Sequence, residues 1–350
     1  MAAQLNREQG TVVLERVPFD AAAWDVALAG YPRAEVFHSS AWLAYLQASQ
    51  NAEPVLAVVR AGSRPIGHFV GAIVRRFGLR ILGSPLRGWG TQSMGFLLDD
   101  ESARGAAASA LVPFAFQDLG CVHLELTDRR LTASEIPRSR YLVEEESTMT
   151  VDLTPPDEIM MKAMRSTTRN YISQALRKGL RIEIATDADF ASEYHNQLTD
   201  DFAAKGLVPT YGVDRVRLLI AILQPTGQLL LLRVRSPDGT SLATALVLGR
   251  NEIAVLWGAA FDRAHKELHP NELLHWEAMR YWKARGASRY DMAYGPYKAK
   301  FGAVPTPAAP HLHCSRFALL RHARTAFRDL VRMRQMLRAL PARFNRSAQR

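Results

Sequence analysis

The clearest pattern along the chain is a set of apolar runs cut by turn residues in its second half. Leu229–Arg235, Leu242–Leu248 and Ile253–Ala260 are separated by Ser236-Pro237-Asp238-Gly239 and by Gly249-Arg250-Asn251-Glu252. Runs of that length between Gly, Pro, Asn and Asp predict three strands of an antiparallel meander. Pro270-Asn271 then opens a helix with Asn271 as N-cap. Leu274, Ala278, Tyr281 and Trp282 recur at helical spacing, and Gly286 fits the stop. A last strand is predicted over Ala287–Ala293.

The first half reads in the same order. Val55–Arg60 and Gly67–Val74 flank a turn, and a further strand lies near Leu79–Leu82. An alanine-rich helix runs from about Ser102 to Leu119 and stops at Gly120, and Cys121–Thr127 alternates apolar and polar. Two more helices are predicted between the halves, over about Pro156–Lys178 and Asp187–Lys205. Matching element order without a short sequence repeat predicts a duplicated α+β domain. Glu144-Glu145-Glu146 and Thr154-Pro155-Pro156 place the junction near residue 150. The expected division is a first domain over 1–150, a second over 151–315, and a tail over 316–350 beyond the proline-rich 305–310.

Composition narrows this picture. A length of 350 residues suits two domains of roughly 150. At 48% hydrophobic and 22% charged, the chain is not disordered or low-complexity over most of its length. Two cysteines, Cys121 and Cys314, make neither a disulfide framework nor a four-ligand zinc site, and they fit a reducing compartment. The first ten residues lack the apolar core of a signal peptide, and no apolar stretch approaches the roughly 18 residues of a membrane span. The expectation is a cytoplasmic protein, at most peripheral on the inner membrane face.

Charge is unevenly placed. Of the net +10, the segment 316–350 holds +9, from ten arginines and Asp329. A basic amphipathic helix is predicted from about Ser315 to Leu340, with Leu320, Phe327, Leu330 and Leu337 on one side and Arg321, Arg324, Arg328 and Arg332 nearby. Three partners stay open for it: an anionic membrane surface, tRNA phosphates, or the protein's own body.

Specific strings add a resemblance. The stretch from Asn271 through Trp276 and Gly286 to Asp291, followed by Tyr297-Lys298-Ala299-Lys300-Phe301-Gly302, resembles the Fem-type (FemAB-like) transferases and their relatives in the GNAT acyltransferase superfamily. The basic helix from Arg165 through Arg169 to Lys178-Gly179 looks like the one that opens the second domain in that group. The match covers mainly residues 160–305, and the first half agrees in layout only. It implies two GNAT-like domains in tandem, each a mixed, mostly antiparallel sheet flanked by helices. It also implies amide-forming transfer of an acyl or aminoacyl group to an amine of a peptidoglycan, exopolysaccharide or other cell-envelope precursor, without a covalent enzyme intermediate. The donor is an acyl-CoA, an acyl carrier protein thioester or an aminoacyl-tRNA. GNAT proteins hold the coenzyme A pyrophosphate in a Gly-rich turn at a helix N-terminus. Here that stretch, Phe261 to Pro270, has no glycine, which gives weight to a carrier protein or a charged tRNA.

The Fem pattern of an aromatic followed by lysine beside the reacting carbonyl matches Tyr297-Lys298. The resemblance thus implies that the Lys298 ammonium stabilises the oxyanion. Asp291, at the end of a predicted strand, orients Lys298, accepts a proton or pairs with Arg289; Glu277 is a weaker base candidate. Arg169 and Lys178 suit an anionic substrate, since guanidinium grips phosphate in a fork. Tyr211 lines the acceptor cleft from a loop, and Asn271 and Lys300 complete the substrate-binding set. His311-Leu312-His313-Cys314 offers three metal-type ligands with no partner motif, so a structural role is expected and no metal. A second functional class, an inactive GNAT-like protein that binds membrane or nucleic acid through its arginines, is opposed by the presence of Tyr297, Lys298 and Asp291 together.

Overall fold

The computed structural model describes residues 11–145 and 147–317. They form two bodies, one of 11–145 with 307–317 and one of 147–306. The tail helix expected beyond Ser315 lies outside the described residues from 318 onward. Among the described residues, no helix is long and apolar enough to cross a membrane.

The first body runs β1 (Val12–Val17), α1 (Ala21–Ala29), α2 (Ser40–Gln50), β2 (Glu53–Ala61), β3 (Arg64–Arg76), β4 (Leu79–Ser84), β5 (Gly95–Leu98), α3 (Arg104–Pro113), β6 (His123–Thr127) and β7 (Leu142–Glu144). The second runs β8 (Ser147–Asp152), α4 (Asp157–Ala163), α5 (Ser166–Arg177), β9 (Arg181–Ile184), α6 (Phe190–Ala204), α7 (Val213–Leu223), β10 (Leu229–Arg235), β11 (Ser241–Arg250), β12 (Ile253–Phe261), α8 (Pro270–Lys283), β13 (Arg289–Asp291) and β14 (Val304–Pro307). A last strand, β15 (His311–Ser315), returns to the first body.

Both sheets are mixed and mostly antiparallel. Their orders are β1-β2-β3-β4-β6-β15-β7, with β5 on β3, and β14-β8-β13-β12-β11-β10-β9. Each holds a parallel pair, β4 with β6 and β12 with β13, and in each a helix, α3 or α8, makes the crossover. The two cores are built alike. Leu124, Leu126, Leu312 and Cys314 turn inward in the first, under Ala107, Ala108 and Leu111 of α3. Leu230, Leu232, Ala245 and Val247 of the sheet, with Leu274, Ala278 and Met279 of α8, fill the second.

Three sequence expectations change. The second body ends at Thr306 rather than 315, because β15 pairs with β6 and β7 of the first sheet. The helix expected over Pro156–Lys178 is two helices. Met164 is extended (ψ 154°), the Arg165 N–H donates to the Lys300 carbonyl, and the Arg169 guanidinium takes the carbonyls of Lys162 and Met164 at the end of α4. The alanine-rich helix ends as α3 at Pro113 and closes through a π turn, with Leu119 N–H bonded to Phe114 O at 3.0 Å.

Candidate functional site

In the second body, β12 and β13 pair in parallel over Ile253–Val255 and Arg289–Asp291. Beyond that register they line a cavity of about 520 Å³, with Leu256, Trp257, Gly258 and Ala259 on one wall and Met292 and Ala293 on the other. The wall changes course at a bulge. Leu246 pairs with Gly258 and Val247 with Leu256, so Trp257 has no opposite residue in β11. Its indole N–H is buried without a protein hydrogen-bond partner. Gly258 allows a close approach: a Cβ there would lie 2.1 Å from the Tyr194 hydroxyl.

Past β13 the backbone makes a cradle. Ala293 is left-handed (φ 58°), and its N–H donates to Asp291 Oδ1 at 2.9 Å. The Thr148 hydroxyl donates to the same oxygen at 2.5 Å. Gly295 (φ 143°) has no room for a side chain, since a Cβ would meet the Tyr297 ring at 2.8 Å. The short helical segment Pro296–Phe301 then brings Lys298 back, and its ammonium donates to the carbonyls of Met292 and, at 3.0 Å, of Tyr294. Lys298 is 6% exposed. Burial pulls its pKa down from 10.5 to about 8, against the opposing pull of Asp291. Among the described residues no carboxylate forms an ion pair with it. A buried cation whose hydrogen bonds go to carbonyl oxygens keeps its charge available to an anion arriving from the cavity.

The rest of the lining is basic. Lys205, Arg263, Lys266, Lys298 and Lys300 face it, against Asp201 and Glu272. Asp201 pairs with Lys205 at 2.5 Å and Arg263 at 2.8 Å, and Glu272 with Lys300 at 2.6 Å. The excess of positive charge suits an anionic substrate. His275, one turn into α8, is held neutral: burial and the nearby Lys298 and Lys300 push its pKa down to about 3. Its Nδ1 has no protein partner.

Lys298, Tyr297, Asn271 and Lys300 therefore meet in one cavity. Asp291 stands behind the wall, 1% exposed, bonded to the backbone that cradles Lys298. Tyr211 sits against the Trp257 ring, 5.1 Å between centroids, and shares a 2.7 Å hydrogen bond with Tyr194. Tyr211, Arg169 and Lys178 are not in the lining: Arg169 closes the end of α4, and the Lys178 ammonium donates to the Glu267 carbonyl at 2.7 Å. Glu277 pairs with Arg280 on α8. His311 and His313 lie in the first body, where they pair with Glu125 at 3.2 Å and Glu144 at 3.3 Å. Among the described residues no group of three or more His, Cys, Asp or Glu is arranged to hold a metal ion.

Sequence reasoning does not single out Trp257, His275 or Lys266. The four-residue spacing of Asn271 and His275 is the available signal for His275, since it puts both on one helix face. Nothing local marks the bulge at Trp257.

α8 begins at the cavity, and the turn before it has no glycine. Its first residue, Pro270, lacks an N–H, and Glu272 places a carboxylate in the first turn. The preceding turn is closed on itself, with Asp262 accepting from Ala264 N–H at 2.8 Å.

Residues 162–300 match the family model described as the acetyltransferase (GNAT) domain. Among solved structures the chain is similar to that titled FemX, with a TM-score of 0.71 at 12% identity over 88% of this chain and 99% of the other. It is also similar to a conserved protein of unknown function from Bacteroides thetaiotaomicron VPI-5482, with a TM-score of 0.57 at 10% identity over 86% and 99%. A tandem GNAT protein from the clavulanic acid biosynthesis pathway gives 0.51 at 10% identity over 87% and 98%. At these identities the likeness is one of fold. No curated protein matches the chain in sequence.

Proposed function

We propose that this chain, a Fem-like acyltransferase with its GNAT domain in the second body, moves an aminoacyl or acyl group from a tRNA ester or carrier thioester onto an amine. The observation that carries this reading is the buried Lys298 ammonium, held by the carbonyls of Met292 and Tyr294 beside a basic cavity. The amine nitrogen bonds to the acyl carbonyl carbon, and negative charge collects on the carbonyl oxygen. Lys298 neutralises it, which in a poorly hydrated site is worth about 3 kcal/mol. The intermediate then collapses with loss of the ester oxygen or thioester sulfur, which takes up the proton given by the amine. No enzyme nucleophile is needed.

Asp291 acts as a positioning residue, by fixing the left-handed Ala293 between the two carbonyls that hold Lys298. The basic lining supports a phosphate-bearing donor or acceptor, and Pro270 with Glu272 disfavours acyl-CoA. An amine-bearing peptidoglycan or polysaccharide precursor at the cytoplasmic face of the membrane is the acceptor class proposed. The test offers hydroxylamine as a small acceptor with aminoacyl-tRNA, acyl carrier protein or acetyl-CoA as donor, and measures hydroxamate. Product from tRNA or carrier protein, but little from acetyl-CoA, is expected. Transfer from acetyl-CoA alone overturns the choice of donor, and hydroxamate formation undiminished by Lys298→Ala overturns the role of the lysine.

A further inference from the structure

In the first body, β3 and β4 are joined by the two-residue turn Phe77-Gly78, with Arg76 paired to Leu79. Both turn residues are left-handed, Phe77 at φ 51° and Gly78 at φ 77°. This is the turn that favours Asn-Gly, because a side chain at its first position is strained unless it is short and polar. Phe77 occupies that position and is 94% exposed. Neither backbone preference nor burial among the described residues accounts for a phenylalanine there.

The surroundings are basic. Arg75 and Arg76 precede the turn and are exposed, and Leu79 beyond it is 39% exposed. Arg80 lies 3.8 Å from Glu53, whose carboxylate also takes Arg16 at 2.7 Å. The same edge of the sheet carries the end of β15. The Arg80 carbonyl accepts from Val122 N–H, and the Val122 carbonyl accepts from Arg316 N–H, both at 2.9 Å. Phe317, 52% exposed, follows with the Arg316 guanidinium over its ring. Among the described residues, Glu53 at this edge is ion-paired, and Asp118 precedes β6.

We infer that this edge, with Phe77 at its tip, docks on an anionic phospholipid surface. A phenylalanine has no polar group to satisfy, so it suits the boundary between headgroups and acyl chains, while the flanking arginines lie at the level of the lipid phosphates. This surface belongs to the first body and does not depend on the reaction proposed for the second. The alternative, an RNA whose bases stack on the aromatic tip, predicts no partitioning onto vesicles.

The experiment compares the full chain with Phe77→Asn and with Arg75→Gln/Arg76→Gln in sedimentation with vesicles of phosphatidylglycerol and phosphatidylcholine, and with phosphatidylcholine alone. Asn is the residue the turn prefers, so Phe77→Asn is expected to melt at or above the wild-type temperature. It should bind the anionic vesicles roughly tenfold less tightly, as should the double arginine variant. Pure phosphatidylcholine should bind far less of any of them. Unchanged binding of Phe77→Asn overturns the inference, as does equal binding to neutral vesicles. Should Phe77→Asn melt early, the arginine variant decides: wild-type partitioning by it also overturns the inference.

Discussion

The two bodies share a strand order as far as the parallel pair and use it to opposite ends. In the first, β4 and β6 pair in parallel over Ile81–Ser84 and His123–Leu126, and the polar side chains beside that pair satisfy one another. Glu125 lies between His123 at 3.3 Å and His311 at 3.2 Å, and the far ring nitrogens of those histidines meet the hydroxyls of Ser315 and Thr127. In the second, the parallel pair is shorter, Trp257 bulges from β12, and the wall opens on a cavity. Its lysine is answered by carbonyls rather than by a carboxylate. A buried network whose polar groups already bond to one another contributes stability and specificity. One that leaves a cation unpaired has given up stability for a charge that a substrate can use.

Breaking the open site should therefore cost catalysis, and breaking the closed one should cost stability. Lys298→Ala is expected to lower kcat by about two orders of magnitude while leaving the melting temperature near or above that of the wild type. Steady-state kinetics beside a thermal melt check both halves. Glu125→Gln should do the reverse, costing about 2 kcal/mol of unfolding free energy in urea with kcat unchanged.

Asp291→Asn sharpens the picture within the site. It removes the charge but keeps an oxygen for the Ala293 N–H. As a positioning residue it should lower kcat by about tenfold without removing the pH dependence that belongs to Lys298. Arg169→Ala has the smallest expected effect. It should cost about 1 kcal/mol through the lost carbonyl contacts at the end of α4. The acceptor KM should stay as it is, whereas a rise in that KM would return Arg169 to substrate binding.

Much of this was legible in the chain. Leu229–Arg235 is bounded in the structure as its apolar run and turn residues indicate. α8 begins at Pro270, but the left-handed His269 stands in the capping position, and Asn271, expected as the cap, lies inside the first turn. Tyr297, Lys298, Asn271 and Lys300 stand in strings that resemble the Fem-type transferases, and the structure brings them to one cavity. The missing parts depend on distant pairing. No local pattern says that His311–Ser315 will cross back to β6, since a five-residue alternating strand fits the edge of either sheet. Arg169 looked like a phosphate ligand because a guanidinium on a basic helix reads the same whether it meets solvent, anion or a neighbouring carbonyl. Trp257 was silent because a bulge is set by how two strands diverge, not by the residue that bulges.

The central claim is that Lys298 works as a cation, and the pH dependence of kcat tests it most directly, with hydroxylamine as an acceptor that stays neutral over the range. With its pKa lowered to about 8, Lys298 loses its proton above that pH, and the rate should fall there in the wild type. The sign for stability is opposite. Between about 8 and the ordinary 10.5 the unfolded chain binds more protons at this residue than the folded one, so the contribution of Lys298 to stability rises with pH while activity falls. A rate that instead climbs through pH 8 to a plateau would make the neutral amine the working form and contradict the account.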